Sequence, residues 1–419
     1  MESHQCGVSC LPICCLRHGE GKEGKIPAAQ CWRHSYNEAP TMKPLACTGC
    51  PSRETNQGFA HGEGNTKAAI VFIGEALGET EASLGRPFVG GTGRMLRAMI
   101  SQAGIPHGDF YITNVVKCRP PGNRTPTKAE VTCCTERYLW AELADISPEL
   151  IVPVGDTALY TVLPTAPAGI TSVRGSLFWN PDLRCKVLPI VHPSYVARGN
   201  PEYWGITVRD LKKAWAEAQS CEYVDPMSGL ELNIDPSLSD ILSITQAILQ
   251  HDTAFAFDLE TVGERWGLNI MDFGFAWSKN QAMCVSLLKR GGHTVWSEGE
   301  EEQIWQAIMD LMASPNLKIG QNIFTFDIPK LMELGVRVEP PAVDTLVKHH
   351  TVAMELPHSL EFLASVYADL PHYKKSIKGF GGMLWIPDEL RRRYNCLDTI
   401  ATYRANYELD LEIEELGLV

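Results

Sequence analysis

Residues 69–91 read AIVFIGEALGETEASLGRPFVGG. Ala68–Ile73 is a short apolar run, the pattern of a strand buried on both faces. It gives way at once to Gly74, Gly78, Gly85, Gly90 and Gly91, so a glycine-punctuated loop leaves the carboxyl end of that strand and runs to Gly93. Glycines in that place let backbone approach a ligand closely. Outward from this point strand and helix patterns alternate. Met95–Ala103 has helical spacing, Phe110–Val116 reads as a strand, and Thr127–Ile146 as a long helix opened by Pro126. Leu150–Val154 and Val187–Val191 read as further strands. The alternation predicts an α/β fold with a parallel sheet covered on both faces.

The 419 residues suggest two or three domains, and 44% hydrophobic against 21% charged residues is the balance of an ordinary globular protein. No run reaches the roughly 18 apolar residues that a membrane helix needs. Cysteines adjoin and interrupt the apolar patch Leu11–Leu16, so it does not read as a signal peptide. Fourteen cysteines are too dilute for a disulfide scaffold, and their pairing into short motifs points to a reducing compartment and a metal. The net charge of −13 is uneven: residues 1–220 balance at +2 and residues 221–419 at −15. The break suggests two domains of different chemistry, the second not gripping nucleic acid by bulk charge alone.

The charge break coincides with residues 219–235, which carry Cys221, Pro226 and Gly229 without periodicity and read as a linker. The expected organisation is an irregular Cys-rich arm at 1–42, a first domain at 43–218, this linker, and a second domain at 236–419. In the second domain Ala254–Leu259, Asn269–Trp277 and Gln281–Leu287 read as strands, and Glu300–Ala313 and Pro387–Leu416 as helices.

Cys47-x2-Cys50 with Cys118-x15-Cys134 is the first constellation. The short pair alone is compatible with zinc, redox chemistry or buried free thiols, and the fifteen-residue gap does not fit the usual closing pair of a zinc site. Four thiolates can also hold a four-iron cluster at any spacing the fold supports.

GEALGETEASLGRPFVGGTGRML, YITNVVKCRPPGNRTPT, LIVPVG and VHPSYV, in this order over residues 43–218, resemble the family 4 iron–sulfur uracil-DNA glycosylases. The resemblance implies the α/β glycosylase sandwich, a 4Fe–4S cluster on Cys47, Cys50, Cys118 and Cys134, and excision of uracil from DNA. It selects Cys134 over Cys133, because the family's last ligand lies four residues after the glutamate matched by Glu130. It assigns Phe88 to stacking on uracil, Asn114 to reading its edge, and His192 to stabilising the departing base. An amide both donates and accepts, as discrimination against cytosine requires. Glu75 and Glu81 are the acids that could orient water. The Ser194–Arg198 loop could probe the duplex. Leu77 stands where the family usually has proline, and Ala82 where an acid often follows. A domain that binds damaged DNA without cleaving it is therefore the competing expectation.

Phe257-Asp258-Leu259-Glu260-Thr261 ends an apolar run, and the two carboxylates, two residues apart, leave the same face of a strand. Asn322-x4-Asp327 and Tyr394-x3-Asp398 follow, the latter an i,i+4 pair on one helix face. With the stretch VDTLVKHHTVAMELPHSLEFLASVYADLPHYK, these motifs resemble the tyrosine subclass of DEDD 3′–5′ proofreading exonuclease domains in family A DNA polymerases, a ribonuclease H-like fold. The resemblance implies two divalent cations, Mg²⁺ or Mn²⁺, on Asp258, Glu260, Asp327 and Asp398, roughly 4 Å apart. Tyr394 would orient the attacking water. No room for a polymerase domain remains before Val419, so the expected setting is a phage-like repair or replication factor. Its partners are single-stranded 3′ ends and uracil-containing DNA, with polymerase activity on a separate chain or, alternatively, lost with the rest of a longer polymerase.

Overall fold

A computed structural model describes residues 43–44, 47–263, 269–370, 373–377 and 379–418. The expected arm 1–42, with Cys6, Cys10, Cys14, Cys15 and Cys31, lies outside the described residues. The chain divides into two compact units between Asp225 and Pro226.

The first unit is built on strands β1 (Glu63–Gly64), β2 (Ile70–Ala76), β3 (Phe110–Val116), β4 (Leu150–Pro153), β5 (Phe178–Asn180) and β6 (Cys185–Val187), in the order β1-β3-β2-β4-β6-β5. The four central strands are parallel and β1 and β5 pair antiparallel at the edges. Every residue of β3 is buried, as an apolar run in a sheet covered on both faces requires. The helix Gly91–Gln102 packs through Leu96, Met99 and Ile100, spaced for one face. The strand expected at Val187–Val191 ends earlier. Pro189 has no N–H for the ladder, and pairing resumes only as a bridge from Ile190 to Val154.

The helix expected over 127–146 runs from Lys128 to Ile146 with one π-helical turn inside it. Thr127 and Glu130 form a capping box that starts it at Lys128, beyond Pro126. A π-helical turn at Thr135–Leu139 then separates Lys128–Cys134 from Trp140–Ile146. Such turns re-aim side chains and occur often at functional sites. Here it follows Cys134 directly and carries Tyr138, whose hydroxyl lies 3.1 Å from the Cys47 sulfur.

The second unit has strands β7 (Glu231–Asn233), β8 (Phe255–Val262), β9 (Asn269–Ala276), β10 (Gln281–Ser286), β11 (Lys318–Gly320) and β12 (Ala342–Asp344), in the order β12-β11-β8-β9-β10-β7. The stretch read as a linker therefore supplies an edge strand, β7, which pairs parallel with β10. A 28-residue helix, Asp388–Glu415, lies against β8, β9 and β10. A buried ion pair from Arg391 to Asp272 on β9 fixes it there, and Arg391 Nη2 also donates to Ser286 Oγ at 3.1 Å. A bulge in β8 between Glu260 and Thr261 bends the strand beside its acidic end. Among the described residues no helix is long and apolar enough to cross a membrane.

Candidate functional site

In the first unit the candidate residues gather at the carboxyl ends of the parallel strands. Gly74 on β2 is the pivot. A Cβ there would come within 2.3 Å of Phe88 Cζ and 2.5 Å of Asn114 Oδ1, so only glycine lets the Phe88 ring and the Asn114 amide share this space. Phe88 has φ +54°, and its backbone is pressed so close to Gly93 that a Cβ at residue 93 would lie 2.2 Å from the Phe88 carbonyl carbon. Arg97 donates from Nε to the Phe88 carbonyl at 3.0 Å and pairs with Glu63. A buried aromatic is thus held in left-handed backbone by surrounding contacts, the kind of strain that persists only where structure enforces it. Asn114 is buried in β3 opposite Gly74.

His192 caps the short helix Pro193–Ala197, so the segment expected as a loop is a helical turn, with Arg198 exposed at its end. Its Nδ1 accepts from the Ser194 amide at 3.1 Å and lies 2.8 Å from Ser194 Oγ. Burial, and secondarily the charge of Arg198, push its pKa down to about 4, while Glu81 pulls the other way. The imidazole is neutral at physiological pH. Because a backbone amide only donates, the ring proton lies on Nε2.

The two acids differ. Glu81 is buried and accepts from the Gly90 amide at 2.8 Å, bracing the glycine-rich loop. Glu75, at the end of β2, is half-buried and accepts from the Thr157 hydroxyl. Leu77 and Ala82 pack with Ala60 in a small apolar cluster. Gly58 runs so near Ala82 that a Cβ on it would lie 2.8 Å from that of Ala82. Both departures from the family pattern therefore sit in a small apolar cluster.

The cysteines converge as well. Cys47, Cys118 and Cys134 are buried and Cys50 and Cys133 half-buried. Burial raises the thiol pKa of Cys118, and that of Cys134 to about 11, with Cys50 adding to each. Asn56 Nδ2 donates to Cys118 Sγ at 3.3 Å and to Glu130 Oε1 at 3.0 Å. Glu130 is gripped by both Arg124 nitrogens at 2.8 and 2.9 Å, which hold its carboxyl far below the usual range. Among the described residues no three of these sulfurs lie within 4.8 Å of one another.

In the second unit, Asp258, Glu260 and Asp398 offer oxygens all within 4.8 Å of one another. Burial first, then the mutual repulsion of the carboxylates, raises the pKa of Asp258 and Glu260 well above normal. Such a cluster calls for cations. Asp327 stands apart from the tight trio: its Oδ1 accepts from the Leu259 amide at 3.0 Å, and burial pushes its pKa up to about 7. Its charge still raises that of Asp258. Tyr394 is buried beside Asp398. Asn322, at φ +62°, donates its amide to Asp344 at 2.8 Å and shapes the turn leading to Asp327.

Three residues of this site escaped the sequence reading. Asn395 Nδ2 donates to Asp258 Oδ2 at 2.9 Å, Tyr373 donates its hydroxyl to Asp398 Oδ1, and Lys374 Nζ reaches Asp398 Oδ2 at 3.0 Å. Asn395 lies inside the Tyr394-x3-Asp398 motif, a signal that was on the page. Tyr373 and Lys374 have no periodic partner in sequence.

The profile of the Uracil DNA glycosylase superfamily matches residues 61–219. A type-4 uracil-DNA glycosylase of Thermotoga maritima is 43% identical over 184 residues, 43% of this chain and 94% of the relative. A DNA polymerase of Bacillus phage SP01 is 32% identical over 161 residues, 38% of this chain and 17% of the polymerase, in keeping with the polymerase-exonuclease resemblance of the second unit. The structure of Brucella melitensis NrnC with bound Mg²⁺ aligns at TM-score 0.31 and 16% identity, covering 39% of this chain and 75% of that one. With nearly the whole length of the Thermotoga relative covered at that identity, the chain belongs, through the unit built around Gly74, Asn114 and His192, to the type-4 uracil-DNA glycosylases.

Proposed function

We propose that the chain is a DNA enzyme with two hydrolytic sites, one excising uracil and the other removing nucleotides from 3′ ends. The convergence of Phe88 and Asn114 over Gly74, with a neutral His192 in the same unit, carries the first assignment. Uracil would leave the base stack and lie against Phe88, with the Asn114 amide reading its edge. His192 Nε2–H would donate to the oxygen on which negative charge grows as the glycosidic bond breaks. Glu75 is the better placed of the two acids to orient water, since it is half-buried whereas Glu81 is buried. Cys47, Cys50, Cys118 and Cys134 would hold a 4Fe–4S cluster, which supplies a rigid brace for the loops that carry these thiols.

For the second site, the trio Asp258, Glu260 and Asp398 carries the assignment. With Asp327 these residues would hold two Mg²⁺ or Mn²⁺ ions, which supply an activated water and charge stabilisation for phosphodiester cleavage. Tyr394 would orient that water through its hydroxyl, and Asn395 would hold Asp258 in place. The setting that suits both activities is repair or proofreading in a bacterial or phage-infected cytoplasm, beside a polymerase on another chain.

The experiment is uracil release from a labelled single strand by wild type, Asn114→Ala and Glu75→Ala. Wild type faster than both by roughly 10²-fold supports catalysis. Equal rates for all three would leave a binding module that recruits the nuclease.

A further inference from the structure

We propose that Lys374 is a positioning residue of the carboxylate site: its ammonium stands in for a divalent ion, holding Asp398 and Tyr394 in place before metal enters, and competes with metal for the same oxygens. The inference rests on the nuclease reading of the second unit and deepens it.

Three buried or half-buried carboxylates share one small space, and their repulsion must be offset for the site to stay assembled. Lys374 is the cation that does so. Its Nζ is 3.0 Å from Asp398 Oδ2 and 3.2 Å from the Tyr394 hydroxyl, the two functional groups of the helical motif. The ammonium also lies 5.3 Å from the Tyr394 ring centre and 5.9 Å from that of Tyr373, within reach of cation–π attraction. Its charge favours the ionised forms of Asp258 and Glu260 too.

The second observation is that each oxygen of Asp398 already accepts a hydrogen bond. Tyr373 donates to Oδ1 and Lys374 to Oδ2, and each oxygen keeps a lone pair for a metal ion, which would then sit close beside the ammonium. A phenol is neutral and can stay. An ammonium beside a divalent ion is repelled, and its flexible four-carbon stem lets it swing away. Lys374 is therefore the group that yields, and the carboxylates are already in place when it does.

The test is Mn²⁺ binding without DNA, read by electron paramagnetic resonance of the free ion, on wild type, Lys374→Met, Lys374→Gln and Lys374→Arg. Thermal unfolding is measured in EDTA and at saturating Mn²⁺. Removing the charge should tighten Mn²⁺ binding about tenfold, as loss of one like charge at close range predicts. It should lower the unfolding midpoint in EDTA, and the Mn²⁺-saturated midpoint should stay unchanged. Lys374→Arg should restore wild-type affinity. Unchanged or weaker Mn²⁺ binding in the neutral variants would overturn the proposal, as would a wild type that binds no Mn²⁺. A wild type that binds Mn²⁺ but shortens no DNA would remove the nuclease reading alone, and the affinity ratio would still decide the role of Lys374. Lys374→Gln, which keeps a hydrogen-bonding side chain, decides it if Lys374→Met fails to fold.

Discussion

The Nδ1 atom of His192 accepts a hydrogen bond from the backbone N–H of Ser194 at 3.1 Å. That contact fixes the tautomer, so a neutral ring presents Nε2–H as its donor. The account therefore requires the uncharged imidazole. Its folded pKa, pushed down to about 4 by burial and Arg198, lies below the ordinary value of 6.5. Neutral His192 thus persists as pH falls through that value and is lost only near pH 4. Uracil release should stay level from about pH 8 to about pH 5 and fall below that. A profile of kcat/KM against pH checks this, and a fall centred on the ordinary histidine value would contradict it. Replacing His192 by alanine should cost roughly 10²–10³-fold in kcat.

Gly74 offers a steric test of the same site. A methyl group there would lie 2.3 Å from the Phe88 ring and 2.5 Å from Asn114 Oδ1. Gly74→Ala should lower uracil release by at least roughly 10²-fold, because displacing a positioned group by about 1 Å costs that much. The carboxylate site lies in the other unit, so shortening from 3′ ends should be unaffected. Parallel assays on the purified variant give the ratio.

The two activities should separate in the other direction as well. Glu260→Gln removes one charge from the trio that would hold the ions. We expect 3′ shortening to drop by more than about 10³-fold, with uracil release and its independence of EDTA unchanged.

The cysteine pair at the end of the Lys128–Cys134 helix gives a fourth prediction. Cys134 is buried and Cys133 half-buried, one residue apart on that helix. Cys134→Ser should abolish the broad absorbance at about 400 nm that a four-iron cluster confers, whereas Cys133→Ser should keep it. Asn56→Ala should leave the absorbance in place and speed its bleaching in air, because Cys118 loses the donor at 3.3 Å.

Much of both units could be read before any coordinates. Largely apolar runs mark β2 and β3, and the capping box at Thr127 and Glu130 marks a helix start in plain sequence. What sequence could not give was set by long-range contact. The π-helical turn after Cys134 carries Tyr138 to the sulfur of Cys47, 91 residues away in sequence. β7 is a strand only because β10 offers it an edge, and its three residues carry no period of their own. Asp327, expected in one group with Asp258, Glu260 and Asp398, lies outside the trio's 4.8 Å yet near enough for its charge to raise the pKa of Asp258, and the Leu259 amide holds its Oδ1. Tyr373 and Lys374 close the stretch that carried the exonuclease resemblance, but only folding shows their role beside Asp398.

The central claim is that one chain carries two independent hydrolytic sites on DNA. The most direct measurement is a gel of a 5′-labelled single strand with one central uracil, incubated with Mg²⁺ or with EDTA and then treated with alkali. The account predicts shortening from the 3′ end only with Mg²⁺, and alkali-dependent cleavage at the uracil in both. Shortening without cleavage at uracil would contradict it and leave a detached nuclease. Cleavage at uracil with 3′ ends intact in Mg²⁺ would contradict it equally and leave a glycosylase beside a silent carboxylate site.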